Sequence, residues 1–326
     1  MSIRSRNWKA VLLLFSSLAV ILACSISTES PTQAPAPDAT KAVLEYQATS
    51  LALQLTQSAL NAQQQAQAAP TQQPTVPPPP PPTDAPAVPT QVPPTATPDV
   101  EAQIKNARVL LYEDTDELGI GQWIEDAVSG MGLTYTQTGS YSGRFMEYLN
   151  SGKPYDLIIV GAEDRSKITG EFWDVINTRL NRDKAALIME VWYLARESTG
   201  PIAKILGPCG VRYRKQYDTA ESVYWWNPTH EIFNVPNSVL PLLHYDTYWW
   251  TAAGDKLMAG GSGDPSFLAG LSSKPDSGEA VLASCYGGRV LIQTFCNHDY
   301  RQEEIIALWQ NYIHYTLKNH FAALQH

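Results

Sequence analysis

Thirteen of the 29 residues from Pro70 to Pro98 are proline, six of them consecutive from Pro77 to Pro82. Proline fixes φ and has no amide hydrogen to donate, so this run forms neither helix nor sheet. It is held to polyproline II, and at about 3.1 Å per residue it reaches roughly 90 Å when extended. The expected organisation follows from it: a short N-terminal part, a Pro/Thr-rich disordered linker over 70–102, and an α/β domain over 103–326. Six threonines within the linker, from Thr71 to Thr97, offer sites for O-glycosylation. About 220 residues follow it, enough for one sizeable core.

The N-terminal part divides further. Arg4, Arg6 and Lys9 precede an uncharged run from Val11 to Ala23. That run is too short to span ~30 Å of hydrocarbon comfortably and fits the apolar core of a secretory signal. Ile21-Leu22-Ala23-Cys24 resembles the lipobox of bacterial lipoproteins. The resemblance implies a signal peptide over 1–23, lipid on Cys24, and a chain held to the bacterial membrane facing the extracytoplasmic side. Residues 24–40 read as a flexible tether. Residues 41–69 lack Gly and Pro, and Leu44, Ala48, Leu51, Leu55 and Ala59 recur at helical steps. The segment is expected to be a helical spacer whose stripe suits either a coiled coil, hence a homo-oligomer, or a solitary helix.

From Glu101 to His326 there are 19 Lys and Arg against 27 Asp and Glu, a net of −8. An acidic domain has no electrostatic attraction for nucleic acid or an anionic surface, so those partners are excluded. After Cys24 come Cys209, Cys285 and Cys296. An odd number leaves at least one unpaired, and no pair has the CxxC spacing of a structural zinc site. They read as small buried hydrophobes.

The domain begins as alternating short apolar runs and amphipathic segments. Strands are expected at Arg108–Tyr112, Leu133–Gln137, Asp156–Gly161 and Ala185–Glu190, with helices at Gly119–Met131, Gly143–Leu149 and Glu171–Leu180. Such alternation implies a mainly parallel sheet covered on both faces. Farther on, Val281–Tyr286 and Arg289–Phe295 flank Gly287-Gly288, a two-residue hairpin turn. Arg301–Lys318 reads as the last helix, packing on the sheet. The expected fold is a three-layer, flavodoxin-like α/β sandwich with a hairpin inserted before that helix.

In an open parallel sheet, ligands bind beyond the carboxyl ends of the strands. Those ends carry Glu113, Asp114 and Asp116 after the first strand, Glu163-Asp164 after the third, Glu190 and Trp192 at the fourth, and Asn297-His298-Asp299 after the last. Converging carboxylates suit a hard divalent cation, with Glu113, Asp114 and Asp116 as candidate ligands. They equally suit sugar hydroxyls, or a structural role at helix N-termini. Tyr224-Trp225-Trp226 and Tyr248-Trp249-Trp250 suit a carbohydrate surface or core packing. Gly260-Gly261-Ser262-Gly263 lacks phosphate-loop spacing and reads as a turn. There is neither a GxSxG nor an HExxH motif, and no cofactor is predicted.

The order of pieces resembles the ThuA-like proteins of the class I glutamine amidotransferase-like superfamily. Thr229-His230-Glu231-Ile232-Phe233, Asp246-Thr247-Tyr248, and Gly288-Arg289-Val290 leading to Asn297-His298-Asp299 stand where that family carries its motifs. The resemblance spans about 105–320. It implies a link to sugar utilisation and carries over His230 and His298 as candidate positions; Asp116, Trp192, Asp246, Tyr248, Asn297 and Asp299, at the strand ends or in the matching segments, are further candidate ligand contacts. Read from the strand ends, His298 with Glu190 or Asp114 is the candidate catalytic set. Amidotransferases carry a nucleophilic cysteine just after the fourth strand, where this chain has Met189-Glu190-Val191-Trp192. The expected function is therefore a cell-surface module that binds a carbohydrate or an envelope partner without catalysis. The alternatives are a sugar- or glycoside-processing enzyme using His298 with strand-end carboxylates, and a structural envelope protein assembling through 41–69.

Overall fold

The structure, a computed structural model, describes residues 99–163, 170–197, 199–219, 221–245, 254–276 and 278–325. The signal peptide, tether, helical spacer and proline run expected from the sequence lie outside these residues. So do Asp164, Asp246, Tyr248 and the second aromatic run.

Described chain begins with Asp99, whose carboxylate accepts the amides of Glu101 and Ala102 and caps α1 (Val100–Lys105). Ile104 of this helix is buried in the core, so the expected linker ends a few residues earlier than 102. Strands and helices then alternate as β1 (Arg108–Glu113), α2 (Trp123–Gly130), β2 (Thr134–Gln137), α3 (Ser142–Asn150), β3 (Leu157–Ala162), α4 (Phe172–Arg182) and β4 (Ala186–Val191). After them come α5 (Leu194–Glu197), α6 (Ala203–Cys209), β5 (Val211–Tyr217), β6 (Tyr224–Trp225), β7 (Gly254–Ala259), β8 (Ser266–Gly270), β9 (Ala280–Cys285), β10 (Val290–Gln293) and α7 (Gln302–Ala323).

The sheet order is β2-β1-β3-β4-β10-β9-β7-β5, with β8 on β9 and β6 on β8. Five strands, β2-β1-β3-β4-β10, are mutually parallel and follow the flavodoxin-like order; from β9 outward the pairing is antiparallel. Strands buried on both faces must be apolar throughout, and β3 (LIIVGA) is buried at every position. Alternate residues feed different layers: Val109 and Leu111 pack with α1, α2 and α7, while Leu110 and Tyr112 pack with α3, α4 and α6. Within α7, Ile305, Leu308, Trp309, Tyr312, Ile313 and Leu317 are buried. Each large apolar side chain so buried contributes about 1.5–3 kcal/mol.

Three expectations change. The hairpin forms, with Val290 opposite Cys285, but its connection takes four residues, because Tyr286, Gly287 and Gly288 all adopt positive φ. Its second strand is no insertion: β10 is the fifth parallel strand, hydrogen-bonded to β4. Cys209 and Cys285 are not simple buried hydrophobes. They form a disulfide joining α6 to β9 across 76 positions, leaving Cys296 free and buried.

Candidate functional site

Strand β1 delivers Glu113 beneath the first turn of α2, where its two carboxylate oxygens accept the amides of Ile124 at 3.0 Å and Glu125 at 2.9 Å. Burial drives the Glu113 carboxyl well above the usual carboxylate range, and these two hydrogen bonds pull it back in part. Asp116, one position past the buried Asp114-Thr115 pair, is exposed and accepts the amide of Ser140 at 3.1 Å. With Glu113 engaged by α2 and Asp116 by the β2–α3 loop, these two carboxylates of the expected hard-cation trio serve backbone amides.

The charged groups that do gather sit between the ends of β3, β4 and β10. A single turn of 3-10 helix, Asn297–Asp299, follows β10 and carries three buried polar residues. His298 Nδ1 lies 2.6 Å from Glu163 Oε2. The Asn297 amide donates to Glu163 at 2.9 Å and to Glu190 at 3.1 Å, and its side-chain Nδ2 donates to Glu190 at 2.8 Å. Asn297 Oδ1 in turn accepts from Gln293 Nε2 and Trp309 Nε1 at 2.8 and 2.9 Å. Every polar atom of the Asn297 side chain is thereby committed to holding this turn.

Glu163 and Glu190 also hydrogen-bond one another, and their environments push them apart. Burial and the neighbouring Glu163 carboxylate hold Glu190 well above the usual range. Burial acts in the same direction on Glu163, but the charge and hydrogen bond of His298, aided by Glu190 and Asn297, bring it below the usual range. Cys296, packed beside Trp192, is pushed well above the ordinary thiol range by burial and then by Glu163, Asp299 and Glu190.

His298 is stacked under Trp123, ring centroids 3.9 Å apart. Both rings line a cavity of about 250 Å³ at the first turns of α2 and α7, with Tyr245, Tyr300, Arg301 and Glu303 among the other walls. Tyr245 is brought there by the bond from its amide to the Asp299 carbonyl, and Arg301 lies over its ring at 4.1 Å. This is the strand-end location that the topology favours.

Of the residues expected from the sequence, His298, Glu190, Asn297, Asp299 and Trp192 are all buried at these strand ends, and Asp114 adds its charge to that acting on Glu190. His230 is elsewhere. It caps the turn Glu231–Phe233 by accepting the Ile232 amide, and its ring packs 5.3 Å from Tyr315. Tyr315 lies about 20 Å along α7 from Gln302, at 1.5 Å per residue. Trp225 is buried and stacks on Phe233 at 4.2 Å, Trp226 is half-buried against the core, and the two indoles donate to the carbonyls of Val239 and Ser272. Sequence reasoning noted Glu163 without assigning it a role and missed Trp123 and Cys296. The available signals were the strand-end position of Glu163 and the Cys-x-His spacing of 296 and 298. The turn after β4 holds Trp192 and Tyr193, the latter at φ 73°, in place of a nucleophilic cysteine.

No family model matches the chain, and no curated protein matches it. Among solved structures, the chain is similar to PurLQS from Thermotoga maritima at 13% identity and a TM-score of 0.37, over 66% of this chain and 98% of that one.

Proposed function

We propose that this protein is a bacterial lipoprotein, held to the membrane by lipid on Cys24, whose ThuA-like domain binds a carbohydrate about the size of a monosaccharide without processing it. The observation that carries this reading is the cavity of about 250 Å³ beside His298. Aromatic faces at Trp123, Tyr245 and Tyr300 match the apolar face of a sugar ring, and Arg301, Glu303 and His298 match its hydroxyls. The turn after β4 carries no nucleophile, and burial keeps the Cys296 thiol protonated, which speaks against thiol hydrolysis. The Cys209–Cys285 disulfide agrees with an oxidising compartment outside the cytoplasm.

The test is a thermal-shift screen of the full chain against sugars and sugar acids. A binding sugar at a hundred times its Kd stabilises the fold by about 2.7 kcal/mol, and Trp123→Ala abolishes the shift. Uniformly flat melts across the screen would turn attention to a protein partner in the envelope.

The 2.6 Å contact between Glu163 and His298 favours a second reading, a sugar- or glycoside-processing enzyme in which Glu163 orients His298 as acid or base. That reading requires product release from a glycoside, and its loss in His298→Ala.

A further inference from the structure

We infer that Glu163, Cys296 and His298 form a binding site for one divalent cation of the zinc class, behind the cavity beside Trp123, whose wall His298 shares. One carboxylate oxygen, the thiol sulfur and one imidazole nitrogen lie within 4.8 Å of one another, and all three residues are buried. In a tetrahedral zinc site with bonds of about 2.0–2.3 Å, ligand atoms stand roughly 3.5 Å apart. The three groups therefore need side-chain shifts of only about an ångström to close on an ion.

The donor set is selective. A thiolate, an imidazole and a carboxylate suit zinc, whereas calcium and magnesium take oxygen alone. Three protein ligands leave one coordination position open, as in zinc sites that bind a further molecule. Of the three, His298 lines the cavity.

Among the described residues Glu163 forms its ion pair with His298, and no lysine or arginine forms one with it. The surrounding groups are also those that hold ligands in place: Glu190 hydrogen-bonds Glu163, and the Asn297 amide donates to Glu163 Oε1. On binding, the Cys296 thiol releases its proton to solvent and its sulfur donates to the metal.

This site goes beyond the carbohydrate reading and does not depend on it. The experiment is titration of the full chain, stripped with a chelator, with Zn²⁺ alone and with Co²⁺ as a spectroscopic substitute. One equivalent binds, and Co²⁺ develops a thiolate-to-metal charge-transfer band. The band disappears in Cys296→Ala and persists in Cys24→Ala. His298→Ala weakens zinc binding by at least about 100-fold, the upper end of what outer partners of a metal contribute. X-ray absorption of the zinc-loaded wild type shows one sulfur at about 2.3 Å, a result that needs no folded variant. Absence of the sulfur, a cobalt band that survives Cys296→Ala in a folded protein, or unchanged affinity in His298→Ala overturns the site. The sugar screen is run with and without chelator. Zinc binding without any sugar shift removes the carbohydrate reading alone, and a sugar shift without zinc binding removes the metal site alone.

Discussion

At the scale of single residues, the strand ends hold several carboxylates in one buried region and give each a different task. Glu113 secures the start of α2, Glu163 faces His298, and Glu190, its carboxyl held well above the usual range, accepts from Asn297. The Glu113 carboxyl is raised in the folded protein above its ordinary value of 4.5, chiefly by burial. A carboxyl raised on folding contributes stability that is complete below the unfolded value and is lost as pH rises through the folded one. Stability of the wild type is thus expected to fall above pH 4.5, by at most about 1.4 kcal/mol per pH unit for each such group. Glu113→Gln keeps an acceptor for α2, removes this titration, and flattens the dependence in urea unfolding followed from pH 4.5 upward. A slope identical to that of the wild type would show that Glu113 ionises normally. The place of His298 and Glu190 at the strand ends was legible because the apolar runs before them read as parallel strands. Trp123 and Cys296 were not, since an aromatic opening a helix and an isolated cysteine read equally well as core. His230 misled for the same reason: capping a turn and binding a ligand call for the same side chain.

At the scale of elements, legibility divides at β4. Up to that point β1, β3 and β4 are largely continuous apolar runs, the edge strand β2 is mixed, and each helix is amphipathic, and their expected bounds lie within a few residues of those observed. Beyond it, β10 apart, the strands pair antiparallel, and several are irregular. The β5–β7 register shifts at Tyr213/Lys215, β8–β9 shifts on both sides of Ala269, and β6 has two residues. Alternation broken by shifts leaves no period to read. The seam between β7 and the residues after β10 depends on a glycine. Gly254 has φ 144°, and a Cβ there would stand 2.0 Å from the Thr294 carbonyl oxygen. Backbone on both sides cannot yield as a side chain does, so Gly254→Ala should cost about 3 kcal/mol or more by thermal unfolding. A loss under 1 kcal/mol would mean that the seam is looser than described.

At the scale of the whole molecule, the parallel half and its antiparallel extension are joined by β10 beside β9 and by the Cys209–Cys285 disulfide. Closing a loop of that length removes unfolded-state entropy equivalent to about 4 kcal/mol. The double variant Cys209→Ala/Cys285→Ala should lose about that much stability in denaturant titrations at unchanged cavity ligand affinity. If it melts with the wild type, the covalent link contributes nothing. The disulfide eluded sequence reading because three cysteines allow three pairings, and only the fold brings α6 beside β9.

The proposal that the cavity beside His298 is a carbohydrate site is tested most directly by calorimetric titration of a sugar found in the screen into the full chain and two variants. Binding at one site in the wild type, lost in Trp123→Ala and unchanged in His230→Ala, is the expected result, because Trp123 walls the cavity and His230 packs on the far half of α7. Binding that survives Trp123→Ala, or that disappears in His230→Ala while the protein stays folded, would contradict it.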